Sequence, residues 1–423
     1  MNTIKGQGLS KFGISLTLSA ALVYSQLATA NTAETRLHSI EPQQLALMVG
    51  AEYASVAELT EKMDRNNFSS VLLVKYLLNR IHSLDKNGPA INAIIELNPE
   101  ALNIAAQRDQ ERLLGKPRGP LHGIPVLIKD NIQTSDTMQT SAGSLALVGQ
   151  PATEDAFIIQ QLRAAGAVIL GKTNLTELAG FRDPDIPSGW SARGGQTKNP
   201  HKLSADPCGS STGSAVAAAA GFAPLTVGTE TNGSIHCPSF MNGVVGLKPS
   251  LGLLSRTGMI VVSRNQDTPG PITRTVRDAA LLLNAMTGND SNDTGQRTNV
   301  GAPTDYTSLL NTAALSGKRI GYPSRYAPGN SEQDLDLNFS QALEIMANAG
   351  VTLIPVEEPS YENSNYMERY QEFLFMDLNR EAPGWFRSRL GMPANSIEAL
   401  INFNQHTPGL PVYGQSSLYW VSL

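Results

Sequence analysis

Pro207–Pro249, PCGSSTGSAVAAAAGFAPLTVGTETNGSIHCPSFMNGVVGLKP, is the stretch from which the rest of the chain becomes readable. It holds two serine–glycine knots, Gly209-Ser210-Ser211-Thr212-Gly213 and Thr231-Asn232-Gly233-Ser234, joined by an alanine-rich run that predicts a buried helix. Neither knot suits the interior of a helix or strand. Glycine permits backbone conformations that a side chain forbids, and it lets N–H groups approach a ligand closely. Serines in both knots point to a catalytic floor.

Upstream, Ile124-Pro125-Val126-Leu127-Ile128-Lys129-Asp130-Asn131 is a short apolar run ending in charge. That pattern predicts a buried strand delivering Lys129 at its edge. Such a lysine can also snorkel to the surface; the serines downstream favour a chemical role. Around this strand the periodicity alternates. Ser55-Val56-Ala57-Glu58 matches a capping box ahead of Val56, Leu59 and Met63. A second helix is expected from Ser69 to about Leu84, a strand over Ile91–Leu97, and a third helix bracketed by Asn98, Pro99 and Gly115. Helix over Asp155–Ala165, strand over Ala167–Leu170 and helix over Thr275–Met286 come next. Lys318–Tyr322, Ser331–Ala349 and Val351–Val356 read as strand, helix and strand, with Gly350 as the helix stop. Strands separated by helices imply crossover connections and a largely parallel sheet.

Composition bounds the partners. Lys5 and Lys11, an apolar run from Phe12 to Leu22, and Ala28-Thr29-Ala30 have the three parts of a secretory leader, cleaved after Ala30. The expected location is periplasmic or secreted. The apolar run is too short to span a bilayer, so no membrane association is expected once the leader is removed. The remainder carries 30 basic against 37 acidic residues, which argues against a nucleic-acid partner. Some 390 residues allow two domains or one large α/β domain. Two cysteines, Cys208 and Cys237, do not make a disulfide scaffold. In an oxidising compartment they could pair, cross-linking the two knots.

Several short motifs compete. Gly166–Thr173, GAVILGKT, fits the phosphate-loop expression, but its interior wants to be a strand where a phosphate cradle needs a loop. Gly209–Gly213 fits the nucleophile elbow centred on Ser211, yet Ala205-Asp206-Pro207-Cys208 is not the strand that an elbow requires. His236 and His406 are candidate bases for such a serine, without a persuasive acidic partner in sequence. His201, Cys208, His236 and Cys237 offer metal-ligand types at no recognised spacing, and no metal is expected. Asp290–Gly295 is too irregular for a calcium loop. What remains is serine chemistry with a base other than histidine. A lysine serves when burial leaves its amine neutral, and Ser210 between Lys129 and Ser234 would let the proton pass through a hydroxyl.

These blocks in this order resemble the amidase signature family. The likeness rests on Gly123–Asp130, Gly209-Ser210-Ser211, Gly228-Thr229-Glu230-Thr231-Asn232-Gly233-Ser234-Ile235 and Gly243–Pro249. It runs from about Asn67 to Tyr413 and is densest from Leu121 to Asp278. The resemblance implies an α/β fold with a large mixed, mostly parallel sheet flanked by helices and preceded by a helical N-terminal region. It implies amide hydrolysis without a cofactor, with Lys129 as base, Ser210 as bridging serine after a cis Gly209–Ser210 bond, and Ser234 as acyl nucleophile. The backbone N–H groups of Thr231, Asn232, Gly233 and Ser234 would form the oxyanion hole, with Gly209 and Ser211 in support. Within the family the chain most resembles exported peptide amidases, through Ser188–Ser191, Gly194–Thr197, Pro207–Ser211 and Ser234–Ser239. The expected substrate is therefore a small-molecule or peptide amide, with ammonia released.

Two departures qualify the likeness. Family members often carry glycine at position 232 and arginine at 236, where this chain has Asn232 and His236. They also continue for many residues past the point matching Gly414-Gln415, whereas this sequence stops at Leu423. The resulting expectation is a leader over 1–30 and one amidase domain over 31–423, shortened at its C-terminus. The alternative to an active enzyme is an impaired or binding-only relative.

Overall fold

The computed structural model describes residues 38–65, 68–296, 305–324, 334–357, 365–387, 390–410 and 412–422. The expected leader with its cleavage point, and Asn67 at the start of the resemblance, lie outside the described residues. Among the described residues, no helix is long and apolar enough to cross a membrane.

The strands in chain order are β1 (Ile94–Leu97), β2 (Pro125–Lys129), β3 (Val168–Thr173), a short hairpin of β4 (Trp190–Ser191) and β5 (Gly195–Gln196), β6 (Leu225–Glu230), β7 (Val245–Gly246) and β8 (Thr268–Thr273). The central sheet has the order β1-β3-β2-β6-β8-β7. It is mixed, with the parallel strands β3, β2 and β6 at its centre and antiparallel strands on both sides. The central strands are buried at every position. Parallel strands covered on both faces need apolar side chains on both, which is why they read as near-continuous apolar runs.

Helices flank the sheet. The N-terminal region supplies α1 (Pro42–Met48), α2 (Val56–Asp64), α3 (Ser70–Ile81) and α4 (Ala101–Leu113). Ser55 and Glu58 form the expected capping box of α2, and Ser69 caps α3. α3 ends sooner than its sequence suggests, because the chain widens into a π-turn over His82–Lys86. Asn98 does not cap α4; its Oδ1 takes the Glu100 N–H at 3.0 Å, and α4 begins after Glu100. α5 (Phe157–Ala164) crosses from β2 to β3, and α6 (Thr212–Ala219) is the alanine-rich helix entering β6. Gly213 is fixed by packing, since a Cβ there would lie 2.4 Å from the carbonyl oxygens of Ala93 and Asn174.

β3 is longer than expected, running through Gly171-Lys172-Thr173 rather than stopping at Leu170. The phosphate-loop letters are therefore strand. Lys172 is fully buried, and its Nζ donates to the Ile132 carbonyl and to Thr140 Oγ1.

After α7 (His236–Met241) and α8 (Val276–Met286), β9 (Arg319–Pro323), α9 (Asp334–Asn348) and β10 (Thr352–Val356) form the expected strand–helix–strand unit. The start of this helix at Ser331 lies outside the described residues. β9 and β10 pair in parallel as their own two-stranded sheet, outside the central one. Three further helices, α10 (Tyr366–Arg387), α11 (Ile397–His406) and α12 (Ser416–Ser422), have no counterpart in the sequence reading. Leu378, Trp385, Leu400 and Leu418 from these helices share a second core with Leu147, Leu175, Ile260 and Val262.

Candidate active site

Strands β2 and β6 run in parallel and end at Lys129 and Glu230, so the C-terminal edge of the sheet presents both. Ligand sites of parallel sheets gather at that edge. The first knot enters there. The Gly209–Ser210 peptide is cis, and Ser211 sits at the cap position of α6.

Lys129 is fully buried. Its Nζ lies 2.8 Å from Ser210 Oγ, 2.9 Å from Ser211 Oγ, 3.0 Å from Thr229 Oγ1 and 3.2 Å from the Thr229 carbonyl oxygen. Counting hydrogens separates these partners. Ser211 donates its proton to the Thr229 carbonyl at 2.9 Å and accepts the Thr229 N–H at 3.1 Å, so towards Lys129 it acts as an acceptor. The Thr229 carbonyl accepts by nature. A neutral amine has two hydrogens and one lone pair. With Ser211 and the Thr229 carbonyl taking the hydrogens, the lone pair is left to a hydroxyl proton, and Ser210 stands closest.

Burial lowers the Lys129 pKa to about 7, against the upward pull of the Asp267 and Glu230 carboxylates. A group poised near neutrality can both take and return a proton at ordinary pH.

The second knot meets the first through backbone, with the Ser211 N–H donating to the Ser234 carbonyl at 3.0 Å. Ser234 is buried, and Gly233 takes the left-handed conformation that the turn needs, at φ +79°. Glu230 anchors the loop between β6 and α7. Its Oε2 accepts the N–H groups of Ile235 at 2.7 Å and His236 at 3.0 Å, and Gly233 N–H also faces this carboxylate. Those hydrogen bonds pull its pKa down to about 2 against the opposing effect of burial. Lys248 Nζ holds the Thr231 carbonyl at 2.8 Å. The sulfurs of Cys208 and Cys237 are bonded across the two knots, with Cα atoms 5.8 Å apart.

The competing motifs resolve in the same geometry. His236 does have an acidic partner, Glu230, 3.0 Å from its Nδ1, but the imidazole is largely exposed, and Ser211 has its proton committed elsewhere. His406 caps its own helix by way of the Asn402 carbonyl. His201 Nε2 meets the Asn242 carbonyl at 3.0 Å, and both cysteines are spent in the disulfide. In the Asp290–Gly295 turn, Asp290 accepts from Ser255, and Asp293 pairs with Arg256 at 2.8 Å.

Four polar residues at the site went unnoticed in the sequence: Thr229, Glu230 as a loop anchor, Asn131 and Asp267. Asn131 Nδ2 donates to Thr229 Oγ1 at 3.0 Å. Asp267 is buried, accepts the Val262 N–H at 2.7 Å, and faces the Thr231 side chain. A carboxylate inside a glycine-rich knot was the available signal for Glu230. Asp267 had none, because only the pairing of β8 with β6 brings it there.

The profile of the Amidase family matches residues 72–381. A putative amidase of Schizosaccharomyces pombe is 39% identical over 360 residues, covering 83% of this chain; the chain spans 60% of the length of that relative. A probable amidase of Arabidopsis thaliana is 42% identical over 400 residues, covering 94% of this chain and 74% of its own. Among solved structures, the native peptide amidase from Stenotrophomonas maltophilia superposes with a TM-score of 0.81 at 45% identity, covering 87% of this chain and 75% of that one.

Proposed function

The chain belongs to the amidase family, and from that premise we propose that it hydrolyses carboxylic amides through an acyl-enzyme on Ser234. The observation that carries this reading is the Lys129 amine, buried and with its hydrogens engaged so that its lone pair meets Ser210.

Neutral Lys129 takes the Ser210 proton while Ser210 takes that of Ser234. Ser234 Oγ then attacks the amide carbonyl. Negative charge collects on the carbonyl oxygen, where the backbone of Thr231–Ser234 would supply preorganised donors. As the C–N bond breaks, the relay returns one proton to the leaving nitrogen, releasing ammonia from a primary amide. Water, activated by the same relay, adds to the ester, gives the acid and restores the Ser234 hydroxyl.

The substrate class proposed is the C-terminal amide of peptides, supported by the likeness to a peptide amidase. A periplasmic or secreted location after cleavage behind Ala30 is likewise a proposal, supported by the Cys208–Cys237 bond, since disulfides persist in oxidising compartments.

The test is ammonia release from an amidated dipeptide, together with labelling by a serine-directed covalent probe. Wild type should score in both assays. Ser234→Ala should lose labelling, with turnover falling by at least about three orders of magnitude, in the range seen when an acyl nucleophile is removed. Full turnover by Ser234→Ala would overturn the mechanism. Silence of a folded wild-type chain in both assays would favour a binding-only relative.

A further inference from the structure

The loop that would stabilise the oxyanion is gripped from one side by Glu230. A second grip comes from a helix more than a hundred residues downstream. Tyr370 on α10 donates its hydroxyl to Gln266 Oε1 at 2.6 Å, and the Asn232 side-chain amide reaches the same phenol oxygen. A phenol has one proton, and here Gln266 receives it. Asn232 must therefore be the donor in its contact, and the three side chains form an ordered chain from Asn232 to Tyr370 to Gln266. The ring of Tyr366, 5.9 Å away and 6° from parallel, stacks on Tyr370.

Two facts make this chain more than a surface contact. First, α10 is a fixed reference. It is tied along the segment 261–266 by Trp385 Nε1 to the Val261 carbonyl at 2.8 Å, by Asp377 to Ser263 and Asn265, by Glu381 to Arg264, and by Tyr370 to Gln266. Second, the turn itself does not require asparagine at position 232. The left-handed residue of the loop is Gly233, not Asn232, so the side chain at 232 has some task other than backbone conformation. Asn232 is also exposed, so its side chain has no packing around it to hold the loop.

We infer that Asn232, Tyr370 and Gln266 form a clasp that makes Tyr370 a positioning residue, with α10 setting the direction of the backbone N–H groups between Thr231 and Ser234. The inference rests on the oxyanion role proposed above. Donors held from both sides stay aligned on a tetrahedral oxygen, whereas donors held only at Glu230 must be reorganised during reaction. The clasp therefore acts on the transition state and leaves substrate binding unchanged.

The experiment compares wild type, Tyr370→Phe, Asn232→Gly and the double variant in the full chain, with Ser234→Ala alongside. Tyr370→Phe keeps the ring stack and removes only the hydroxyl. For each, kcat and KM are measured on an amidated dipeptide, with the inhibition constants of the matching peptide aldehyde, which forms a tetrahedral adduct with the nucleophile, and of the carboxylate product. Thermal unfolding is recorded in parallel. Each single variant should lose roughly fivefold in kcat, the scale of one hydrogen bond. Aldehyde affinity should fall by the same factor, KM and product affinity should stay put, and the double variant should be no worse than either single.

Unchanged kcat and aldehyde affinity would overturn the inference. So would a rise in KM alone, which would mean direct contact with substrate, or losses that multiply in the double variant. A kcat loss that tracks lowered thermal stability while aldehyde affinity holds would reduce the trio to a structural role and overturn it too. If Ser234→Ala stays active, the proposed mechanism fails; if it is inactive while the clasp variants match wild type, only the clasp fails.

Discussion

Asp267 and Lys129 are separate in sequence and share one buried environment, where the carboxylate opposes the effect of burial on the amine. The catalytic form of Lys129 is the neutral one, so kcat/KM should rise with pH through about 7 and level off above it. Removing the Asp267 charge removes the larger of the two upward pulls on the Lys129 pKa; Glu230 supplies the other. In Asp267→Asn the acid limb should therefore move to lower pH, while a smaller plateau would report the lost contacts with Val262 and Thr231. A pH–rate profile of the two proteins on one amide decides this. An acid limb that stays in place would mean that Lys129 does not feel Asp267.

At the scale of elements, the Cys208–Cys237 bond closes a loop over a sequence separation of 29, and that loop contains both knots and α6. Chain-entropy arguments assign such a closure about 3 kcal/mol of stability. Cys208→Ser with Cys237→Ser should lower the denaturation free energy by that order in urea titrations. An unchanged midpoint would show that α6 and the β6–β8 pairing hold the loops without the bond.

The same elements explain which parts were legible in the sequence. β2 could be read because Ile124–Ile128 is apolar on both faces, and α6 because alanine and valine come after a glycine-rich start. Lys129, Ser210 and Ser211 are indeed brought together at one edge of the sheet. β8, TPGPIT, could not be read. Two prolines argue against an interior strand, and it is tolerated here because β7 is only two residues long and Gly270 lets the Leu247 carbonyl come close, where a Cβ would meet it at 2.2 Å. α10 escaped notice because Met367, Phe373 and Met376 lie exposed on it and Pro383 interrupts it, which blurs the apolar stripe. The β9–α9–β10 unit was legible as a motif, but its period says nothing about which sheet its strands join.

For the molecule as a whole, the buried amines set a conflict between stability and reactivity. Lys129 titrates near pH 7 in the fold and near its ordinary value of 10.5 when unfolded. Between those values the unfolded chain binds the extra proton, so stability must rise with pH across that window. Below about pH 7 both states are protonated and the full penalty of a buried ammonium applies; above 10.5 both are neutral and it vanishes. The depression from 10.5 to about 7 corresponds to a penalty on the order of 5 kcal/mol. Lys172, lowered by burial to about 8, adds a similar term of its own in both proteins and cancels in a comparison. Lys129→Met removes the Lys129 term along with catalysis. The stability of wild type relative to Lys129→Met should thus be lowest near pH 7 and climb steadily toward pH 10, as read from urea denaturation at a series of pH values. A difference that stays flat across that range would mean that the amine is not depressed, and with it would go the neutral base on which the proposed chemistry depends.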